Sequence, residues 1–260
     1  MNKMKNIKGI LSDLDGTLYF KGKPTVNAIQ AVDKIRKEGF RLLFFTNTDS
    51  KTPETIYRNL QKLGFNIFKE EIFTPIIALK EFLSKHSDKK LFFLTTKEVK
   101  EEFKDFLQVK GPEVPDFVVI GDFRDNWDVN RLNQAFKHVL KGAKLLGTQG
   151  NSYFLDREGE PVIDTGSFVN LLANAANVIP RIFGKPSKDY FDQALKRINL
   201  KNNEAVVIGD DIESDIQGAI NADIRAILVK SGKGQFYKAV NTKIKPNLVI
   251  ENFASILDYI

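Results

Sequence analysis

The sequence predicts an α/β protein built on a parallel sheet, because short apolar runs alternate with amphipathic stretches. That alternation breaks into a separate middle series, and the first style then resumes. A chain of 260 residues with 42% apolar content can bury one large core or two modest ones. The expectation is therefore a discontinuous core, residues 1–76 and 182–260, interrupted by an inserted α/β unit of residues 77–181.

Ile7 to Ser12 is apolar enough for a buried strand. Val26, Ile29, Val32 and Ile35 recur at helical spacing, Gly39 supplies the stop, and Arg41 to Thr46 (RLLFFT) reads as the next strand, completing a βαβ unit. Thr52-Pro53-Glu54 combines a cap, a first-turn proline and a favourable acid, and Gly64 closes that helix after Leu63. The middle series begins near Pro75 and carries strands at Lys90 to Thr95, Phe117 to Gly121 and Lys144 to Gly147, enough for a small sheet of its own. Its joints to the core are placed near Phe73 to Pro75 and Ile179 to Phe183. Ser187 then opens a helix to Ile198, and Ala205 to Gly209 (AVVIG) and Ile224 to Val229 (IRAILV) are further core strands.

Composition removes several functions. Zero cysteines exclude disulfides, thiolate nucleophiles and Cys-ligated zinc. No run of ~18 apolar residues exists to span a bilayer, and Met1 to Lys8 lead into a strand with no secretory apolar stretch, so a soluble cytoplasmic protein is expected. The 39 basic and 33 acidic residues give a net charge of +6, but the lysines are scattered. No recognition helix, aromatic-interleaved basic stripe or zinc-finger spacing accompanies them, so neither nucleic acid nor membrane is an expected partner.

The chemistry concentrates at strand ends. In Ser12-Asp13-Leu14-Asp15-Gly16-Thr17, two carboxylates two apart follow directly on a buried strand, at the carboxyl end where open α/β sheets bind ligands. Gly16 supplies the turn that lets Asp15 lean toward the side of Asp13. Asp210 and Asp211, with Asp215 beyond, follow the AVVIG strand in the same way. Such a concentration of like charge calls for a cation, and oxygen-only ligands point to magnesium. Taken singly, either cluster also reads as a solvated loop or a helix cap, Thr46 as a buried strand-end hydroxyl and Lys185 as a surface lysine. Two acidic clusters at strand ends, far apart in sequence, are much harder to obtain by coincidence.

DLDGT at Asp13 to Thr17, Thr46-Asn47 after the second strand, Gly184-Lys185-Pro186, and GDD with a later Asp at Gly209 to Asp215 resemble, in order, the four motifs of the haloacid dehalogenase superfamily. The Thr-Asn and GKP forms and the long insertion are similar to the nitrophenylphosphatase-like, class IIA branch, which includes lysine–histidine-pyrophosphate phosphatases. The resemblance implies a Rossmann-like core with an α/β cap, and a phosphatase of small phosphorylated substrates. It assigns Asp13 as nucleophile through an aspartyl phosphate and Asp15 as acid and base. Thr46, Asn47 and Lys185 fall at its phosphate-binding positions, and Asp13, the Asp15 backbone carbonyl and Asp210 at its Mg²⁺ ligands. Asp215 is placed behind them, orienting Lys185 or a metal-bound water, with a helix N-terminal role as the competing view, and Asp211 as ligand or cap. Thr48-Asp49-Ser50 departs from the polar neutral residues relatives often carry, and Asp49 adds negative charge beside a phosphate site.

By the same resemblance substrate choice lies between about Ile76 and Pro180, and caps of this kind can mediate a homodimer. Asp164-Thr165-Gly166-Ser167-Phe168 falls at a substrate-facing loop, with Gly166 permitting close approach; an ordinary helix entry capped by Ser167 is the other reading. Trp127 reads as packing, and His86 and His138 as surface or boundary residues of amphipathic helices. Phosphoryl transfer to an acceptor other than water, as in a mutase, uses the same motifs. A binding or regulatory protein is the non-enzymatic rival, against which intact Asp13, Asp15, Lys185 and Asp210 count.

Overall fold

Two parallel sheets organise the chain, in a computed structural model that describes residues 4, 6–109, 113–156, 158–239 and 243–260. The chain opens with β1 (Gly9–Ser12), a short hairpin of β2 (Tyr19–Phe20) and β3 (Lys23–Pro24), α1 (Ala28–Lys37) and β4 (Arg41–Phe45). Helix α1 starts later than its apolar spacing predicts, because Asn27 takes a left-handed φ of 56° and Val26 is exposed. Next come α2 (Pro53–Lys62), β5 (Ile72–Phe73) and α3 (Pro75–Ser84). Thr52 caps α2 and Thr74 caps α3, each accepting a backbone N–H three residues on, and each precedes a proline whose missing N–H costs nothing there.

The middle of the chain supplies β6 (Leu91–Leu94), α4 (Lys97–Glu101), β7 (Phe117–Ile120), α5 (Val129–Leu140) and β8 (Lys144–Gly147). An antiparallel hairpin of β9 (Tyr153–Leu155) and β10 (Pro161–Ile163) follows, then α6 (Thr165–Ala176) and β11 (Arg181–Ile182). The remainder is α7 (Lys188–Arg197), β12 (Ala205–Gly209), α8 (Gln217–Asn221), β13 (Arg225–Val229) and β14 (Leu248–Ile250).

Among the described residues the larger sheet has six strands in the order β14-β13-β12-β1-β4-β5, and the smaller has four in the order β11-β8-β7-β6. Every pair in both is parallel. A parallel sheet must be covered on both faces, and strict alternation divides the side chains accordingly. Ile10, Leu42, Phe44, Val206 and Ile208 pack toward α1 and α2. Leu11, Leu43, Phe45, Ala205 and Val207 pack toward α7 and α8, in a cluster that continues through Ile76, Leu79 and Leu83 of α3 to Leu91, Phe93, Phe117 and Val119 of the smaller sheet. The opposite face of that sheet, Phe92, Leu94, Val118 and Ile120, packs on Ala135 and Val139 of α5 and Val169 and Leu172 of α6.

Some local expectations change. Asp164, not Ser167, caps α6: its carboxylate accepts the Thr165 amide at 2.9 Å, while the Ser167 hydroxyl donates to the Ser152 carbonyl at 2.7 Å. His138 is buried, on the inner face of α5 against Phe92, whereas His86 is a boundary residue packed on Phe82. Trp127 stacks on Phe123 at 5.3 Å while remaining half exposed. No described helix is long and apolar enough to cross a membrane.

Candidate active site

The register of the larger sheet decides which loops meet. Ser12 pairs with Ile208 on one side and Phe44 on the other, and the Asp13 amide donates to the Ile208 carbonyl at 2.9 Å. The chain leaving β1 therefore has the end of β12 on one flank and the end of β4 on the other, at the carboxyl edge where such sheets bind ligands. Asp13 is buried, Leu14 turns into the core, and Asp15 stays open to the cleft. Gly16, at φ +86°, makes the turn, its amide donating to the Tyr19 carbonyl at 2.7 Å.

Lys185 closes the arrangement from the loop after β11. Its ammonium, 2% exposed, donates to Asp13 Oδ1 and to Asp215 Oδ1, each at 2.6 Å, and lies 4.8 Å from the centre of the Phe45 ring. Burial alone would lower a lysine pKa, but the Asp13 and Asp215 carboxylates reverse the effect and hold Lys185 above its ordinary value. Asn47 fixes the lysine through its backbone: Oδ1 accepts the Lys185 amide at 2.7 Å and Nδ2 donates to the Lys185 carbonyl at 2.9 Å. The same Nδ2 donates to Asn151 Oδ1 at 2.9 Å, so both side-chain N–H groups of Asn47 are engaged. The Thr46 hydroxyl accepts the Thr48 amide at 3.0 Å, beside the cavity.

Asp210 is held in a narrow slot. A Cβ on Gly16 or on Gly232 would lie 2.1 Å from its Oδ2, and both glycines have positive φ, so the approach needs glycine twice over. The Lys233 amide donates to Asp210 Oδ2 at 2.7 Å. Asp211 faces away from this slot: Oδ1 accepts the amides of Glu213 and Ser214, and Oδ2 takes the Lys233 ammonium at 2.6 Å. Of the two roles expected for Asp211, its geometry is that of a cap. Asp215, besides holding Lys185, accepts the Asp211 amide at 3.1 Å.

The donor set fits a divalent cation. Asp13, Asp210 and Asp215 each offer an oxygen within 4.8 Å of the others, and Asp13 Oδ2 is buried with no hydrogen-bond partner among the described residues, as a position completed from outside the chain would be. Burial, with Asp13, Asp215 and Asp211 nearby, pushes the Asp210 carboxyl well above the usual carboxylate range, a cost that a bound cation would relieve. Oxygen donors alone suit a hard ion. Although Asp15 keeps solvent on its cleft side, the surrounding walls limit its hydration, and with Asp13 beside it they push its pKa up to about 7.

A cavity of about 600 Å³ opens over these groups. Its floor includes Asp13, Asp15, Thr46, Asn47, Lys185 and Asp210, and its far wall comes from the smaller sheet's side, with Arg124, Asn151, Phe154 and Asp164. Sequence reading missed Lys233, whose ammonium also donates to the Tyr153 carbonyl at 2.7 Å and so ties the core to the β9–β10 hairpin. Its signal was available: Lys233 stands between Gly232 and Gly234 just past a core strand. Asn151 carried no such signal, since its contact to Asn47 spans 104 residues.

Residues 10–106 match a family model described as haloacid dehalogenase-like hydrolase, and residues 182–256 match a second, HAD-hydrolase-like model. The chain is 32% identical over 263 residues to haloacid dehalogenase-like hydrolase domain-containing protein 2 of Mus musculus, covering 100% of this chain and 98% of that protein. It is 28% identical over 262 residues to phospholysine phosphohistidine inorganic pyrophosphate phosphatase of Homo sapiens, covering 98% and 95%. The crystal structure of 4-nitrophenylphosphatase from Thermotoga maritima superposes with a TM-score of 0.87 at 25% identity, covering 98% of each chain. With four motif loops meeting on one rim and a relative 32% identical along the whole length, the chain belongs to the haloacid dehalogenase-like hydrolase family.

Proposed function

We propose that this hydrolase is a magnesium-dependent phosphatase of small phosphate monoesters, working through an aspartyl phosphate on Asp13. Residues 77–181 serve as a cap over a core of residues 1–76 and 182–260. The observation that carries the reading is the convergence of Asp13, Asp15, Lys185 and Asp210, from three distant stretches of chain, around one cavity.

An Asp13 carboxylate oxygen attacks phosphorus as the ester P–O bond breaks, and Asp15 gives its proton to the departing oxygen. A pKa raised to about 7 leaves Asp15 protonated in a useful fraction at neutral pH. Water then attacks phosphorus, Asp15 takes back a proton, and the P–O bond to Asp13 breaks to release phosphate. The Thr46 hydroxyl, the Asn47 backbone N–H and the Lys185 ammonium would meet the phosphoryl oxygens on the cavity floor as charge develops there. Asp13, the Asp15 backbone carbonyl and Asp210 would hold Mg²⁺, with Asp215 close by. When bound, the ion supplies the positive charge that lets a carboxylate approach a phosphate.

Phosphate release tests this, from p-nitrophenyl phosphate and from sugar, nucleotide and amino-acid phosphates. Phospholysine and pyrophosphate join the panel because the human relative's name specifies them. The expected result is turnover that needs Mg²⁺, is lost in EDTA, and falls at least about a thousandfold in Asp13→Asn. Turnover without metal, or unimpaired turnover in Asp13→Asn, would sink the mechanism. Folded, metal-binding protein that releases phosphate from none of the panel would turn the assignment to phosphoryl transfer onto another acceptor.

A further inference from the structure

Asp49 lies two residues past Asn47 on the loop after β4, and it is 3% exposed. The mechanism above does not use it. Its Oδ2 accepts three hydrogen bonds, all from the smaller sheet's side: Thr148 Oγ1 at 2.5 Å just past β8, Thr165 Oγ1 at 2.8 Å at the start of α6, and the Asp122 amide at 3.1 Å just past β7. Two strand ends and one helix start of the inserted segment thus converge on a single oxygen of the core. Other ties cross the same seam, among them Thr96 Oγ1 to the Ser50 carbonyl at 3.0 Å and the Thr52 amide to Glu98 Oε1 at 2.9 Å, but these lie nearer solvent.

The carboxylate is in costly company. Burial and Asp164, with Asp122 adding to them, push Asp49 up to about 7, and Arg124 is itself paired with Asp122. Three donors offset that cost, and they are present only while core and insert are in contact. Every one of them is lost if the two separate, which makes the contact sensitive to cap position in a way that a solvent-facing acid would not be.

We infer that Asp49 is a positioning residue, latching the inserted segment onto the loop that carries Thr46 and Asn47 and so holding the cavity over Asp13 at its closed width. The kinetic side of this inference rests on the phosphatase reading; the latch itself does not. Two measurements are made on Asp49→Ala and wild type: amide hydrogen exchange, and steady-state hydrolysis of p-nitrophenyl phosphate with Mg²⁺. Only the latched fraction binds substrate productively, so KM is expected to rise about tenfold in Asp49→Ala with kcat held within about twofold. Exchange over residues 120–124, which include the Asp122 amide, accelerates by about tenfold or more. A merely unfolded fraction would instead lower kcat and leave KM alone.

Asp49→Asn keeps an acceptor oxygen and recovers most of both effects. Thr165→Val removes a donor from the other side, moves both readouts in the same direction, and stands in if Asp49→Ala does not fold. Unchanged exchange at 120–124 overturns the latch whatever the activity. Faster exchange with unchanged KM, on a substrate that wild type turns over, overturns the positioning role. If wild type turns over nothing, the phosphatase reading fails and the exchange data alone decide the latch.

Discussion

His138 shows what one misread residue does to pH dependence. Among the described residues neither of its ring nitrogens has a hydrogen-bond partner, and burial, with Lys141 nearby, lowers its pKa below the usual histidine value. The folded protein therefore resists protonating a group that the unfolded chain protonates below about pH 6.5. With more protons bound in the unfolded state, stability falls as pH drops through that value, by up to about tenfold in the folding equilibrium per pH unit, until the lowered folded pKa is reached. Urea unfolding at pH 7.5 and 5.5 is expected to show a larger loss for wild type than for His138→Phe; equal losses would clear His138 of the effect. The burial was legible, since Ala135, His138 and Val139 share the inner face of α5 at helical spacing. The acids were legible for a different reason: Asp13, Asp15 and Asp210 follow closely on apolar runs that read as buried strands, whereas Lys185, taken singly, reads as a surface lysine and is pointed to only by the resemblance of Gly184-Lys185-Pro186 to a family motif. Asp49 disclosed only its charge, because its partners lie 73, 99 and 116 residues away.

At the scale of elements, the same rule separates what spacing reveals from what packing decides. β8 and β12 have the bounds that their apolar runs predict, whereas β2, β5 and β11 have two residues each, too few to establish a period of two. The cap of α6 was misplaced because Asp164 and Ser167 are both good caps three residues apart, and only the nearby Ser152 carbonyl, which occupies the Ser167 hydroxyl, settles the choice. Gly166 was expected to permit close approach at a substrate-facing loop; what it approaches in the structure is the backbone of the loop after β8. A Cβ there would lie 2.3 Å from the Gly150 carbonyl carbon and 2.4 Å from its oxygen, backbone atoms that cannot rotate aside. Gly166→Ala must therefore lift the first turn of α6 from the loop after β8, at a cost of about 1–3 kcal/mol. A matching drop in unfolding free energy is the expected result in urea titrations, and a shift under about 0.5 kcal/mol, the ordinary surface range, would mean that the helix slides freely.

For the whole molecule, the question is whether two sheets make two folding units. The strand grammar of the sequence suggests an insertion, but the apolar cluster ignores that division. Leu11 and Leu43 of the larger sheet, Leu79 of α3, and Phe93 and Val119 of the smaller sheet belong to one buried continuum. α3 is thus packed by both sides, and among the described residues it joins the hydrophobic core of one sheet to that of the other, beside the more open seam that Asp49 spans. A physical consequence follows for cooperativity, and the chain carries its own probe. Trp127 is the only tryptophan; it stacks on Phe123 and packs at a tilt against Phe168 beside the smaller sheet, so its emission reports that side alone, while far-UV circular dichroism reports all helices and strands. In urea the two signals are expected to change together in a single transition. Leu79→Ala, at a site with no solvent exposure, should lower stability by about 2–5 kcal/mol and move both signals by the same amount, because the cavity it leaves is shared. Fluorescence that moves without circular dichroism, or two resolved transitions, would show instead that α3 belongs to one sheet and that the continuum is a contact between independent units.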